Sequence, residues 1–469
     1  MFKIEALLLV PSILCAAIYR ESCILPLFIT ALIALVAGTL IKTATHEKSD
    51  VFYAREGFFT VALAWVCLSA LGALPFYLSG EIPSYIDAFF ETVSGFTTTG
   101  ASILTDVESM SHGLLFWRSF THWVGGMGIL VFMMAIVPGA NDRSIHIMRA
   151  EMPGPVVGKL VPRARDTAKI LYIIYVGMTF LQVILLLCGG MNLFESLVHA
   201  FGTAGTGGFG IRGDSIGGYS PCLQWVITVF MLLFGVNFNV YYLLLARKFR
   251  AAAQSGEFYY YIGIVVFSAA VIALNIRSMY ATLSETIRHS TFQVASIITT
   301  TGYSTVDFDA WPQLSKSILL ILMMVGACAG STGGGLKVSR AVILFKMIGR
   351  ELKHLLHPRS INSVKFEGKQ VDGATLKSVS SYFALYIICT VIVFLVLSIE
   401  PAADMETNAS AAISCFNNIG PAFRMAGPAM NYAFYSPLSK IVLSFAMLFG
   451  RLEIIPMLLT FIPGTWIKR

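Results

Sequence analysis

The chain of 469 residues is 56% hydrophobic and only 13% charged, with a mean hydropathy of +0.74. A soluble domain carries about a quarter charged residues, so the apolar excess must face something other than water, and a soluble globular class is excluded. The net charge of +7 does not mark a nucleic-acid binder, because the basic residues gather in alternate loops between apolar segments.

Segments 4–19 and 23–42 form a first hairpin that crosses the membrane twice. No cleavable signal peptide is expected, because the apolar run Ala6 to Ile18 leads to Arg20 and Glu21 without a small-residue cleavage site. One syntax then recurs four times: a long apolar helix, a short semi-polar helix, a Gly/Thr-rich turn and a second long apolar helix. The first unit has helices near 58–78 and 113–137 around Tyr85 to Val93; the second has 168–190 and 222–246 around Asn192 to Phe201. In the third, 258–276 and 313–349 flank Ser284 to Ile298, and in the fourth 378–398 and 438–462 flank Ala403 to Phe416. The expected organisation is a hairpin over 1–49 and repeats over 50–145, 146–252, 253–355 and 356–469.

Each short element is too short to cross a bilayer, which marks a re-entrant segment. Two full spans per unit and two in the hairpin predict ten crossings with both termini inside. The basic groups agree with that scheme: Lys42, Lys48 and Arg55; Arg143, Arg149, Lys159, Arg163, Arg165 and Lys169; Arg247, Lys248 and Arg250; and Lys337, Arg340, Lys346, Arg350, Lys353, Arg359, Lys365, Lys369 and Lys377. All of them land on the cytoplasmic side, and the Gly/Thr turns land outside. The fold class is therefore all-α integral membrane, a hairpin plus four pseudo-symmetric helix–pore loop–helix repeats around one central pore. The cysteines at 15, 23, 67, 188, 222, 328, 389 and 415 contain no CxxC pair, and the His354-x-x-His357 pair lies on a basic stretch without a cysteine nearby, so neither a disulfide framework nor a zinc site follows.

The turns read Ser94-Gly-Phe-Thr-Thr-Thr-Gly100, Thr203-Ala-Gly-Thr-Gly207-Gly-Phe, Thr299-Thr-Thr-Gly302-Tyr and Phe416-Asn-Asn-Ile-Gly420-Pro. Aligned on Gly100, Gly207, Gly302 and Gly420, three units place a serine (Ser94, Ser296, Ser414) six residues earlier, and the second has Phe201 there. Irregular backbone at membrane depth is tolerated only when buried in protein or lining a watery cavity. An extended Thr/Gly strand has a use there, since its carbonyl oxygens can replace the hydration shell of a cation, and the preceding helix points its negative C-terminal end toward the pore. Gly/Thr motifs also permit close helix packing, but four turns in one setting favour a pore.

These residues resemble the Trk/Ktr/HKT superfamily of potassium transporters over nearly the whole chain, and the extra hairpin resembles the Trk-type members. The resemblance implies a pseudo-fourfold pore within one polypeptide and a homodimer with one pore per subunit. It assigns potassium-binding filter positions to Thr98, Thr99 and Gly100; Gly205, Thr206 and Gly207; Thr300, Thr301 and Gly302; and Asn418, Ile419 and Gly420. In the plant relatives a serine at the first filter glycine goes with sodium uptake, so Gly100 favours potassium. The resemblance further implies a bacterial cytoplasmic (inner) membrane location. It also implies a cytosolic ring of nucleotide-binding TrkA-like subunits, with loops 143–169 and 337–377 as docking surfaces. No cofactor is expected on this chain beyond potassium ions; the nucleotide belongs to the partner. Potassium, lipid, a second copy and that ring are the expected partners, and nucleic acid is not.

Acidic residues follow three turns, Asp106 and Glu108, Asp214, and Asp307 with Asp309, and would concentrate cations at an outer mouth unless they are ordinary loop charges; Arg424 follows the fourth. The stretch Gly326-Ala-Cys-Ala-Gly330-Ser-Thr-Gly333-Gly334-Gly335 should unwind its span, since each glycine costs about 1 kcal/mol relative to alanine. It is either a static kink or, as the resemblance implies, a gate below the filter. Arg451 in the last span is costly in a membrane and faces the bundle interior or water. The resemblance makes it an electrostatic barrier; a structural ion pair is the alternative, and Glu453 is too close in sequence to supply it. Leu336 and Val338 break the pattern of a phosphate-binding loop around Lys337. No catalytic constellation appears either, although Glu195 and His199 share a helix face, so the chain is not an enzyme. Uptake of potassium is the expected function. The alternative is a symporter coupling potassium to protons or sodium, which calls for buried carboxylates near the midplane.

Overall fold

The computed structural model describes residues 1–44, 54–128, 164–360, 362–452 and 454–461. Lys48, Arg143, Arg149, Lys159, Arg163, Glu453, the part of span 113–137 beyond 128, and the boundaries at 49/50 and 145/146 lie outside the described residues. The hairpin consists of α1 (Phe2–Leu8), α2 (Val10–Tyr19) and α3 (Ile24–Ala44). The turn between α2 and α3 docks on the first repeat: the Glu21 carboxylate accepts the backbone N–H groups of His112 at 2.8 Å and Gly113 at 2.9 Å. Those donors are left over at a helix N-terminus and need such an acceptor.

The first repeat contains α4 (Ala54–Gly72), α5 (Leu74–Ser79), α6 (Tyr85–Phe96) and α7 (His112–Gly126); the second contains α8 (Ala164–Cys188), α9 (Leu193–Ala204), α10 (Pro221–Phe234), α11 (Phe238–Leu245) and α12 (Phe249–Ala252). The third has α13 (Gly256–Ile276), α14 (Leu283–Ile298), α15 (Gln313–Val325) and α16 (Val338–Leu356). A small antiparallel hairpin, β1 (Lys365–Phe366) with β2 (Lys369–Gln370), pairs Lys365 with Gln370 and precedes the fourth repeat. That repeat comprises α17 (Gly373–Leu397), α18 (Met405–Phe416), α19 (Pro437–Arg451) and α20 (Ile454–Phe461).

Six helical segments among the described residues are long and apolar enough to cross a membrane: Phe2–Tyr19, Ile24–Ala44, Phe59–Ser79, Asp166–Cys188, Gly256–Met279 and Gly373–Leu397. Each repeat thus opens on an apolar segment of spanning length, whereas its second long element, as far as the described residues show it, is short or broken. The expected helix 222–246 is a bent pair, with α10 and α11 meeting at 90°. The break is stable because its freed groups find partners. The carbonyl of Gly235 accepts the Cys328 N–H at 3.1 Å, and Asn237 caps α11 by accepting the Asn239 N–H at 2.9 Å. Polarity is inverted relative to a soluble protein: Leu25, Phe28, Leu32, Leu40, Phe180 and Phe267 are exposed, while Thr97, Thr98, Thr99 and Thr300 are fully buried. All eight cysteines are free thiols.

The four short helices α6, α9, α14 and α18 begin alike. Ser84, Asn192, Thr282 and Asp404 each accept the backbone N–H three residues on, at 3.4, 2.8, 3.2 and 2.8 Å respectively. Each such cap stabilises its helix by about 1 kcal/mol. It also fixes where the helix starts, and therefore where its C-terminus and the following turn fall.

Candidate functional site

Just past each short helix the backbone makes the same unusual move. Thr98, Thr206, Thr300 and Asn418 have φ of 56°, 56°, 58° and 57°. Left-handed backbone at a threonine is disfavoured and persists only where its surroundings over-determine it. One residue later the N–H turns back to the helix, from Thr99 to Ser94, Gly207 to Gly202 and Thr301 to Ser296 at 2.8 Å each, and from Ile419 to Ser414 at 3.0 Å. The next residue is a glycine with positive φ: Gly100 (80°), Gly208 (76°), Gly302 (83°) and Gly420 (99°).

The common backbone pattern revises the alignment of the second turn. The counterpart of Gly100, Gly302 and Gly420 is Gly208, and the predicted triplet Gly205-Thr206-Gly207 lies one residue early. Gly202, small like Ser94, Ser296 and Ser414, then occupies the position that Phe201 had seemed to break. A usable signal was present, since sixteen residues separate Ser84 from Gly100, Asn192 from Gly208 and Asp404 from Gly420.

The glycines close a ring. A β-carbon on Gly100 would overlap the carbonyl oxygen of Gly207, one on Gly208 that of Thr301, and one on Gly302 that of Ile419. A β-carbon on Gly420 would come within 2.7 Å of the carbonyl oxygen of Thr99, which returns to the first repeat. Four strands therefore pack side by side around one axis, in the order first, second, third, fourth, and only glycine permits that approach. A cavity of 160 Å³ opens beside them, with Gly100, Gly208, Gly302 and Gly420 all in its wall. Side chains brace the ring from behind: Asn418 Nδ2 donates to Thr99 Oγ1 at 3.0 Å and to the Met447 carbonyl at 2.8 Å.

On the α19 side of the ring, residues 326–337 leave the helical path. Gly326, Gly330 and Gly335 have φ of 74°, 69° and 77°. The Gly334 N–H donates to Thr300 Oγ1 at 2.6 Å, and a β-carbon on Gly334 would overlap the carbonyl oxygen of Asn417. The loop thus sits directly against the ends of α14 and α18. Phe238 N–H donates to the Gly330 carbonyl at 3.0 Å, and the Lys337 ammonium donates to the Gly333 carbonyl. The buried Glu257 carboxylate accepts the N–H groups of Ala329 at 2.8 Å and Ser339 at 3.0 Å, gripping both shoulders of the loop.

Arg451 is 6% exposed and spans three repeats. Its guanidinium donates to the Thr332 carbonyl at 2.7 Å, to the Gly125 carbonyl at 2.7 Å and to the Gly126 carbonyl at 2.5 Å. Three backbone oxygens from two other repeats thus accept from this intramembrane cation. Gly326, Gly330, Gly333, Gly334, Gly335 and Arg451 are brought together.

The acids that follow the turns, and their neighbours, are largely committed. Asp309 and Glu406 share the Lys316 ammonium at 3.0 and 2.8 Å, Arg424 reaches Glu406 at 2.8 Å, and Glu108 accepts the Gly213 N–H at 3.1 Å. Asp87, on α6, pairs with Lys440 of α19 at 2.7 Å. These contacts tie one repeat to the next, a use of the acids that spacing alone did not reveal.

The family model of the TrkH cation transport proteins matches residues 26–466. The chain belongs to this family. It is 37% identical over 461 residues to the Trk system potassium uptake protein TrkH of Escherichia coli K12, covering 97% of this chain and 94% of the relative. It is 33% identical to the TrkH of Halomonas elongata, covering 99% and 96% of the two chains. The crystal structure of the potassium transporter TrkH from Vibrio parahaemolyticus superposes with a TM-score of 0.88 at 31% identity, over 99% of this chain and 97% of that one. TrkH-family membership makes the chain a multi-pass membrane transport protein and places it outside the enzymes.

Proposed function

We propose that the chain is the ion-conducting subunit of a potassium uptake system in a bacterial cytoplasmic membrane, with both termini inside. The observation that carries this reading is the closed ring in which each strand's glycine abuts the next strand's carbonyl. Backbone oxygens from all four repeats then surround one path, where they replace the water lost by a potassium ion. The filter is Thr98–Gly100, Thr206–Gly208, Thr300–Gly302 and Asn418–Gly420, with Gly205 at its base. The membrane potential drives entry at about 2.3 kcal/mol per charge per 100 mV.

The loop 326–337 is the gate. Its contacts with Thr300 and Asn417 support a position across the route from the ring to the cytoplasm, where Arg451 adds a positive charge that opposes cations. Opening withdraws the loop from the Arg451 guanidinium. Control comes from cytosolic nucleotide-binding TrkA-like subunits acting on the basic segment 337–377 beyond its buried Lys337 and Arg340, and the chain functions as a homodimer with one filter per subunit. Potassium-dependent growth and rubidium uptake in a transport-deficient bacterium test the activity. Currents recorded from purified protein in a planar bilayer separate a channel from a symporter: discrete openings favour the channel, and flux tied stoichiometrically to protons or sodium favours the carrier.

A further inference from the structure

Glu91 and Arg118 form a buried ion pair, 1% and 4% exposed, with Arg118 Nε donating to Glu91 Oε1 at 2.6 Å. The same carboxylate accepts the Ser102 hydroxyl at 2.9 Å and the Ile103 N–H at 2.9 Å, both on the strand that follows Gly100. The guanidinium reaches the other way. Arg118 Nη1 donates to the Gly210 carbonyl at 2.9 Å, and its carbon lies 3.5 Å from the centre of the Phe209 ring, both on the strand that follows Gly208. One ion pair therefore bolts the first strand to the second immediately beyond their glycines.

The other repeats are built differently. Nine residues before Gly208, Gly302 and Gly420 stand His199, Gln293 and Ala411, none of them an anion at that place. A buried ion pair is weak evidence of stability, because apolar residues of similar volume often serve as well. What this pair supplies is direction: four hydrogen bonds of fixed geometry, two of them forked from a planar guanidinium. We propose that Glu91 and Arg118 are positioning residues for ion selectivity, setting the separation of the first and second strands and through it the discrimination between potassium and sodium. This rests on the reading of the four strands as a filter.

The test uses full-length R118K and E91Q in liposomes, with radioactive rubidium and sodium uptake measured on the same preparation. R118K keeps the charge but loses the fork to Gly210; E91Q keeps one acceptor and loses the anion. The rubidium-to-sodium ratio is expected to fall by about tenfold, the change that one charge-assisted hydrogen bond corresponds to when it bears on one ion more than the other. Both fluxes scale together with the amount of inserted protein, so a purely structural loss leaves the ratio unmoved. G302S serves as the reference, since it perturbs the ring directly. A ratio altered by G302S and unaltered by R118K and E91Q overturns the positioning role alone; a ratio unaltered by all three overturns the filter reading with it. If R118K or E91Q does not insert, S102A and F209L, which each remove one contact of the pair, decide by the same ratio.

Discussion

Replacement of Arg451 by alanine separates a gate from a fixed obstruction. Of the guanidinium's three carbonyl contacts, those to Gly125 and Gly126 stay within the first repeat's α7, and only the 2.7 Å contact to Thr332 reaches the glycine loop. Withdrawal of the loop therefore breaks one charge-assisted hydrogen bond at Arg451, worth about 1.5–3 kcal/mol. Losing it from the closed state alone shifts the closed-to-open ratio by roughly 10- to 150-fold, and removing the charge lowers the barrier to cations further. R451A is thus expected to raise partner-free rubidium flux into liposomes by at least about tenfold. R451K divides the two effects. A lysine preserves the charge but not the planar fork, so a flux that stays low identifies the charge as the obstacle, and a flux that rises identifies the contact. An inserted R451A protein with unchanged or reduced flux would refute the reasoning.

Two further predictions address the loop and the register. E257A leaves the N–H groups of Ala329 and Ser339 without their acceptor, at about 1–3 kcal/mol each; buried Cys328 should then be modified by maleimide added from the cytoplasmic side, while E257Q, which keeps an acceptor oxygen, protects it. Peptide mass mapping reads the difference, and equal protection in both variants counts against the clamp. A β-carbon on Gly207 meets the imidazole of His122, whereas one on Gly208 meets the Thr301 carbonyl. G207A activity should therefore be partly restored by H122A, and G208A activity should not; rescue of G208A by H122A would contradict the revised register.

Much of this architecture was legible in the sequence because its devices are compositional. Glycine and threonine clustered between a short helix and an apolar span cannot continue either one, so the turns at Gly100, Gly302 and Gly420 and the unwound stretch 326–335 announce themselves. The second turn offers two adjacent glycines, Gly207 and Gly208, and choosing between them needed the helix cap at Asn192, a weaker signal than the glycine. The bend at Gly235 was hidden for a different reason. A single glycine in an apolar run reads as tolerated, and what makes the break stable is distant, namely the N–H of Cys328 and the loop it belongs to. The contacts of Arg118 and Arg451 were equally out of reach. An arginine inside a span signals a polar interior, but its partners at Gly210, Thr332 and Gly125 come from other repeats, ninety to more than three hundred residues away.

The central claim is that these four strands bind dehydrated potassium between them. Anomalous scattering from crystals soaked in thallium, a potassium surrogate, measures this directly. Peaks on the axis, ringed by the carbonyls of Thr99, Gly207, Thr301 and Ile419 and their neighbours, are the predicted result. Thallium found only at the outer acids, with none between the strands, would contradict it.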